Sequence, residues 1–147
     1  MRTMAMAFAA PVSAGGGPAS DSDPSYKAGL CNIGPSEISY RRLWGHVGLV
    51  ITVITLAVLL WIDAPLPARL LVVFPAWGTA VAYLQAWLQF CVAFGALGVF
   101  NFGQVGSTDR VVDPEKRRRD RRRALEIVLL GLIAGVIVGA VAVMLPL

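Results

Sequence analysis

Cys31, Cys91 and His46 are the side chains of this sequence best suited to nucleophilic, redox or metal chemistry. A thiolate attacks electrophiles and binds soft metals, and a neutral imidazole serves as base or ligand. A centre built on them would use Cys91 as the active group, Cys31 as its resolving partner and His46 as base or ligand. The three match no metal-site or redox spacing, and a packed cysteine with an interfacial histidine accounts for the same residues. The stretch YLQAWLQFC places Gln85 and Gln89 on one helical face, where two amides could line a path for a polar solute. Amides at membrane depth require hydrogen-bond partners, so a helix–helix bond satisfies the same pattern.

The elements that position these groups follow from composition. The chain has 147 residues, 56% hydrophobic and only 15% charged, which is more apolar than a water-soluble domain of this size. Residues 43–62, 70–100 and 127–147 contain no Lys, Arg, Asp or Glu. A helix needs roughly 20 mainly apolar residues to cross about 30 Å of hydrocarbon. The sequence therefore predicts an all-α integral membrane protein with three transmembrane helices, near residues 43–62, 70–90 and 124–145. A soluble fold would need amphipathic helices to cover these runs, and the remaining chain is a Gly/Pro/Ser tail and a basic loop. Without charge in the span cores, a proton relay or voltage sensor has no residues to run on.

Three regions result: a disordered N-terminal tail over 1–30, a two-helix transmembrane hairpin over 31–101, and a basic cytoplasmic helix start over 102–147 that continues into the third span. The tail contains SAGGGPASDSDPS, which buries too little apolar surface to offset the entropy of ordering. A cleavable signal, with Arg2, MAMAFAA and VSA before Gly15, is the competing reading of the same residues. Positively charged residues collect on the cytoplasmic side. With three spans, Arg2, Lys27, Arg41, Arg42, Arg110 and the seven cations of KRRRDRRR share one side, and Arg69 alone lies opposite. Reading residues 70–100 as two spans would divide the charges and leave too few residues for two crossings and a turn. The predicted arrangement has the N-terminus inside, an outer turn DAPLPAR and the C-terminus outside. Pro35 and Pro114 suit helix starts, with Asp113 as an N-cap and Trp44 and Trp61 bracketing the first span. The third helix would then begin near Pro114 and project its first turns beyond the membrane as a basic rod.

Lys116, Arg117, Arg118, Arg119, Arg121, Arg122 and Arg123, with Arg41 and Arg42, are read as contacts to anionic lipid headgroups that hold the orientation. An acidic protein partner could use the same block; nucleic acid is not expected, because no aromatics interleave the arginines. Gly131, Gly135 and Gly139 recur on one face of the third span and admit close approach of another helix, either within the chain or across an oligomer.

These residues also carry a resemblance. The order CNIGPSEISYRR, a glycine-containing span, a short turn, a second span and FCVAFGALGVFN resembles the small YgaP-like inner-membrane module that accompanies some membrane-bound rhodaneses. In that family an Asn-(Ile/Val)-Gly start precedes an arginine, and the second helix ends at Phe-Cys followed by Leu-Gly and Asn. The matching positions are Asn32, Ile33, Gly34, Arg41 or Arg42, Phe90, Cys91, Leu97, Gly98 and Asn101. Val92 stands where proline is usual, and a third span is added to the module. The resemblance, over residues 31–101, implies a membrane hairpin whose inner-face cysteine sits beside sulfur-transfer chemistry in a partner.

The expectation is a small non-enzymatic, multi-pass protein of the bacterial cytoplasmic (inner) membrane. It would be an accessory or scaffold subunit that contacts other membrane proteins, or its own copies, through the glycine face. No catalytic, metal or cofactor residue is assigned. Two other classes stay open: a thiol- or metal-dependent module using Cys31 and Cys91, and a small transporter or channel along Gln85 and Gln89.

Overall fold

Pro35, Pro67 and Pro114 each occupy the first turn of a helix, where a missing N–H costs no intrahelical bond. The computed structural model describes residues 23–145, so the reading of residues 1–22 as tail or signal lies outside the described residues. Helix α1 is Pro35–Trp61. The second span is composite: α2, Leu66–Arg69, passes through a 3-10 turn, Leu70–Val72, into α3, Val73–Trp87. Past it come a short α4, Val92–Leu97, and a two-residue antiparallel ladder of β1, Val99–Phe100, with β2, Asp109–Arg110. Helix α5, Pro114–Met144, ends the described chain, and Asp113 caps it by accepting the Glu115 N–H at 2.8 Å.

The structure is mostly helical, and three of its helices, Pro35–Trp61, Leu66–Trp87 and Pro114–Met144, are long and apolar enough to cross a membrane. The second begins four residues before the expected 70, so that Arg69 lies within it. The polar turns and ladder between residues 88 and 113 fall where the sequence offered only a loop.

Helix α3 is central, with α1 and α5 packed against different faces of it. Small residues make both contacts. Gly45 faces the Tyr83 ring and Gly48 faces Thr79, while Thr52 and Thr79 share a hydrogen bond at 3.1 Å between their hydroxyls. On the other side, Gly131, Gly135 and Gly139 lie against Val81, Trp77 and Val73, and the Trp77 indole N–H donates to the Val128 carbonyl at 3.1 Å. The glycine face is therefore filled by the chain's own α3. Of the two readings the spacing allowed, within the chain or across an oligomer, the structure has the first; the expectation that this face contacts other proteins is corrected, because the three glycines are buried inside one molecule.

At the end opposite the arginines, Arg69 is buried. Its Nε donates to the Ala64 carbonyl at 3.0 Å and Nη1 to the Leu145 carbonyl at 3.0 Å, and Nη2 lies 3.6 Å from Asp63. One guanidinium thus ties the turn after α1 to the end of α5, above a small core of Leu59, Ala64, Val72 and Ala142.

Candidate functional site

A polar collar closes the basic end of the bundle. It begins where α3 stops: Gln89 takes a left-handed conformation, φ +53°, and its carbonyl accepts the Asn32 N–H at 3.2 Å. Asn32 is fully buried and brackets the backbone of one residue, with Oδ1 accepting the Cys91 N–H at 2.7 Å and Nδ2 donating to the Cys91 carbonyl at 3.1 Å. Its own carbonyl accepts the Asn101 N–H at 2.9 Å, and the Gly34 N–H donates to the Asn101 carbonyl at 2.7 Å. A side chain at Gly34 would start 3.0 Å from the Phe102 backbone, which would have to give way, so glycine suits this close crossing.

Glu37 stands in the first turn of α1 and is 2% exposed. Oε1 accepts from the Asn101 amide at 3.1 Å and from the Gly106 N–H at 3.3 Å, and Oε2 pairs with Arg41 Nη2 at 3.5 Å. Asn101, also buried, uses its oxygen to accept the Gly103 N–H and the Ser107 hydroxyl, and its amide also donates to the Gln104 carbonyl. One carboxylate and two asparagines thereby fold the loop over residues 101–107 onto the start of α1, satisfying backbone groups that no helix or strand pairs.

A second cluster joins the segment before α1 to α5. Asp120 is fully buried among the arginines; it accepts the Tyr26 hydroxyl and the Gly29 N–H, each at 2.7 Å. The Tyr26 ring stacks on Phe100 at 4.8 Å, and both bury Val111. Residues 23–30, grouped with the tail on composition, thus form turns that strap the basic end. The basic rod is corrected in the same way. It is clad by this strap, by α4 and by Val111, whose carbonyl accepts from Arg117 Nε at 2.6 Å.

The nine cations read as lipid contacts consequently divide. Arg41 turns inward to Glu37 and Cys91, and Arg117 covers Gly98, a left-handed residue at φ +70°. Lys116 and Arg123 are half-buried, and Arg123 pairs with Glu126. Arg42, Arg118, Arg119, Arg121 and Arg122 are exposed; of these Arg119 pairs with Glu115 at 2.8 Å and Arg122 with Glu126 at 3.4 Å.

The residues first considered for chemistry are dispersed. His46 Nδ1 is 2.6 Å from the Tyr83 hydroxyl, and no group of three His, Cys, Asp or Glu among the described residues is placed to hold a metal ion. Gln85 and Gln89 are spent on the turn: Gln85 accepts the Val92 N–H at 2.9 Å, and Gln89 Oε1 lies 3.8 Å from the Cys31 sulfur. Both thiols are free. Cys91 is fully buried, with Arg41 Nη2 donating to its Sγ at 3.1 Å.

Cys31 is half-buried, and burial pushes its thiol above the ordinary cysteine range, against smaller opposing effects of a hydrogen bond with the Ile33 backbone and of the Lys27 charge. A raised pKa leaves less thiolate at neutral pH. Cys31 is therefore expected to alkylate more slowly than free cysteine at pH 7 and to gain about tenfold in rate per pH unit on approach to its pKa. Iodoacetamide labelling followed peptide by peptide measures this, and a neutral-pH rate matching free cysteine would contradict it.

Sequence reasoning did not single out Tyr26 or Asp120, and it took Glu37 only as part of a helix start. The available signals were one acid inside an arginine block and one acid two residues after a helix-opening proline. Comparison with family models, with curated proteins and with solved structures yields no match to this chain.

Proposed function

We propose that the protein is a non-enzymatic accessory or scaffold subunit of a bacterial cytoplasmic membrane, with the basic end and N-terminus inside and the C-terminus outside. The observation that carries this reading is the use made of the buried polar side chains. Asn32, Gln85, Asn101 and Asp120 all bind backbone groups of neighbouring segments, and Glu37 binds one backbone N–H beside two side chains, so together they build a shape at the membrane surface. The charge asymmetry supports the orientation, because exposed arginines gather at one end and Arg69 at the other is buried. With the glycine face filled, α1 becomes the surface offered to a subunit within the membrane. It is the least buried of the three spans and exposes Val47, Val50, Ile54 and Val58 along its length.

The test is a tagged full-length chain with Val50→Cys or Ile54→Cys, treated with a short thiol crosslinker in native membranes and extracted in mild detergent. A discrete adduct with one membrane protein, or with a second copy, is the expected result. A protein that migrates alone and gives no adduct from either position overturns the reading. A reporter enzyme fused after Leu147 that is active only in the cytosol would overturn the orientation separately.

One contact favours a second reading, in which Cys91 is a working thiol. The Arg41 guanidinium donates to Sγ at 3.1 Å, and the likeness to the rhodanese-associated module rests on the same Asn32, Gly34, Cys91 and Asn101. In a Cys31→Ser background, Cys91 that stays unmodified by thiol reagents at neutral pH removes this alternative.

A further inference from the structure

Two troughs of similar size run along the bundle, one at each end, and they differ in charge. The trough at the basic end holds about 640 Å³ and is lined by all three spans, with Ala80 and Leu84 on α3 and Leu130 and Ala134 on α5. Its mouth carries Arg42, Tyr83 and Trp87. The trough at the opposite end holds about 520 Å³ between α2–α3 and α5, and Pro67, Leu71, Phe74, Val136 and Ala140 line it without a charged group.

We infer that the basic-end trough is a binding site for one anionic phospholipid, with an acyl chain along Leu84, Leu130 and Ala134 and the phosphate on Arg42. This rests on the proposal that the basic end lies at the headgroup layer. Arg42 is exposed and makes no ion pair among the described residues, so its charge is available to a headgroup, whereas Arg41 beside it is spent on Glu37 and Cys91. Small side chains at Ala80 and Ala134 open the trough, and its size falls within the roughly 300–1,000 Å³ of small-ligand sites. Trp87, 82% exposed at the end of α3, supplies the amphipathic ring that settles at the glycerol level. Tyr83 is fixed in the mouth by its bond to His46. Phosphate is the matching group because a guanidinium meets it with paired N–H donors, and a zwitterionic lipid cancels that attraction with its own cation.

Full-length protein in phosphatidylcholine vesicles, doped with phosphatidylglycerol bearing a photoactivatable acyl chain, tests the assignment. Label is expected on residues 80–87 and 130–134 over the opposite trough by about fivefold, and Arg42→Gln is expected to abolish that preference. Ala134→Leu fills the trough and is expected to remove the label there; Ala80→Leu does the same from the other wall if the first variant is poorly folded. The same photoprobe on phosphatidylcholine should mark both troughs alike. Equal labelling of the two troughs by phosphatidylglycerol, or label unchanged in Arg42→Gln, overturns the lipid site while leaving the membrane placement intact. Absence of label from all three spans overturns the placement itself.

Discussion

A Glu37→Ala variant is expected to lose the shape of the basic end while its three spans stay helical. The carboxylate is 2% exposed and receives Asn101 Nδ2, the Gly106 N–H and the Arg41 guanidinium, so truncation removes an acceptor from three donors at once and leaves Arg41 without its counter-charge. Removing one partner of a buried, hydrogen-bonded ion pair costs about 3–5 kcal/mol, because the remaining charge and donors are left without compensation. Glu37→Gln keeps an acceptor for Asn101 and Gly106 but turns an amide toward Arg41, and is expected to retain part of the stability. The readouts are protease cleavage within residues 102–110 and the midpoint of thermal unfolding in mild detergent. An alanine variant that resists protease like the parent would refute this account of the collar.

The second large effect is expected from Gly135→Leu. A Cβ at Gly135 would lie 3.0 Å from the Trp77 nitrogen and 3.0 Å from the Val73 carbonyl oxygen, which are backbone atoms that no rotamer change can move. Helix α5 must then back away from α3, stretching the Trp77–Val128 hydrogen bond, at a cost of about 1–3 kcal/mol or more for overpacking. Gly78 supplies the control, because a Cβ there meets nothing within 4 Å. Gly78→Ala is expected to unfold like the parent and Gly135→Leu well below it. If Gly135→Leu instead left a fully stable monomer while dissociating an oligomer, the glycines would face another molecule and the internal packing described here would be wrong.

The spans were legible because bilayer thickness fixes a length and the hydrocarbon forbids charge, both of which can be read from one sequence without knowing any contact. The starts of α1 and α5 were equally legible, since Pro35, Pro114 and Asp113 act on their own helix. What the glycines touch was open at the sequence level: spacing shows that Gly131, Gly135 and Gly139 share a face, and only the fold shows that Val73, Trp77 and Val81 fill it. The collar was illegible for a related reason. Glu37, Asn101, Tyr26 and Asp120 have no periodicity that announces their partners, which lie a span or more away in the chain. The motif CNIG and the later FCVAFGALGVFN marked two pieces of it, while the pairing of Asn32 with the Cys91 backbone is visible only in three dimensions.

The bonds that fasten the collar join residues far apart in the chain: 94 positions for Tyr26 and Asp120, 64 for Asn101 and Glu37, 59 for Asn32 and Cys91. A ribosome delivers Tyr26, Asn32 and Glu37 long before the groups they bind, so these side chains wait, hydrated, through two threading events. The bonds of Asn32 and Glu37 can close once residues 91–106 have been made, whereas Tyr26 must wait for Asp120 at the start of α5, so the clasp fastens in two stages, both ahead of the last apolar run.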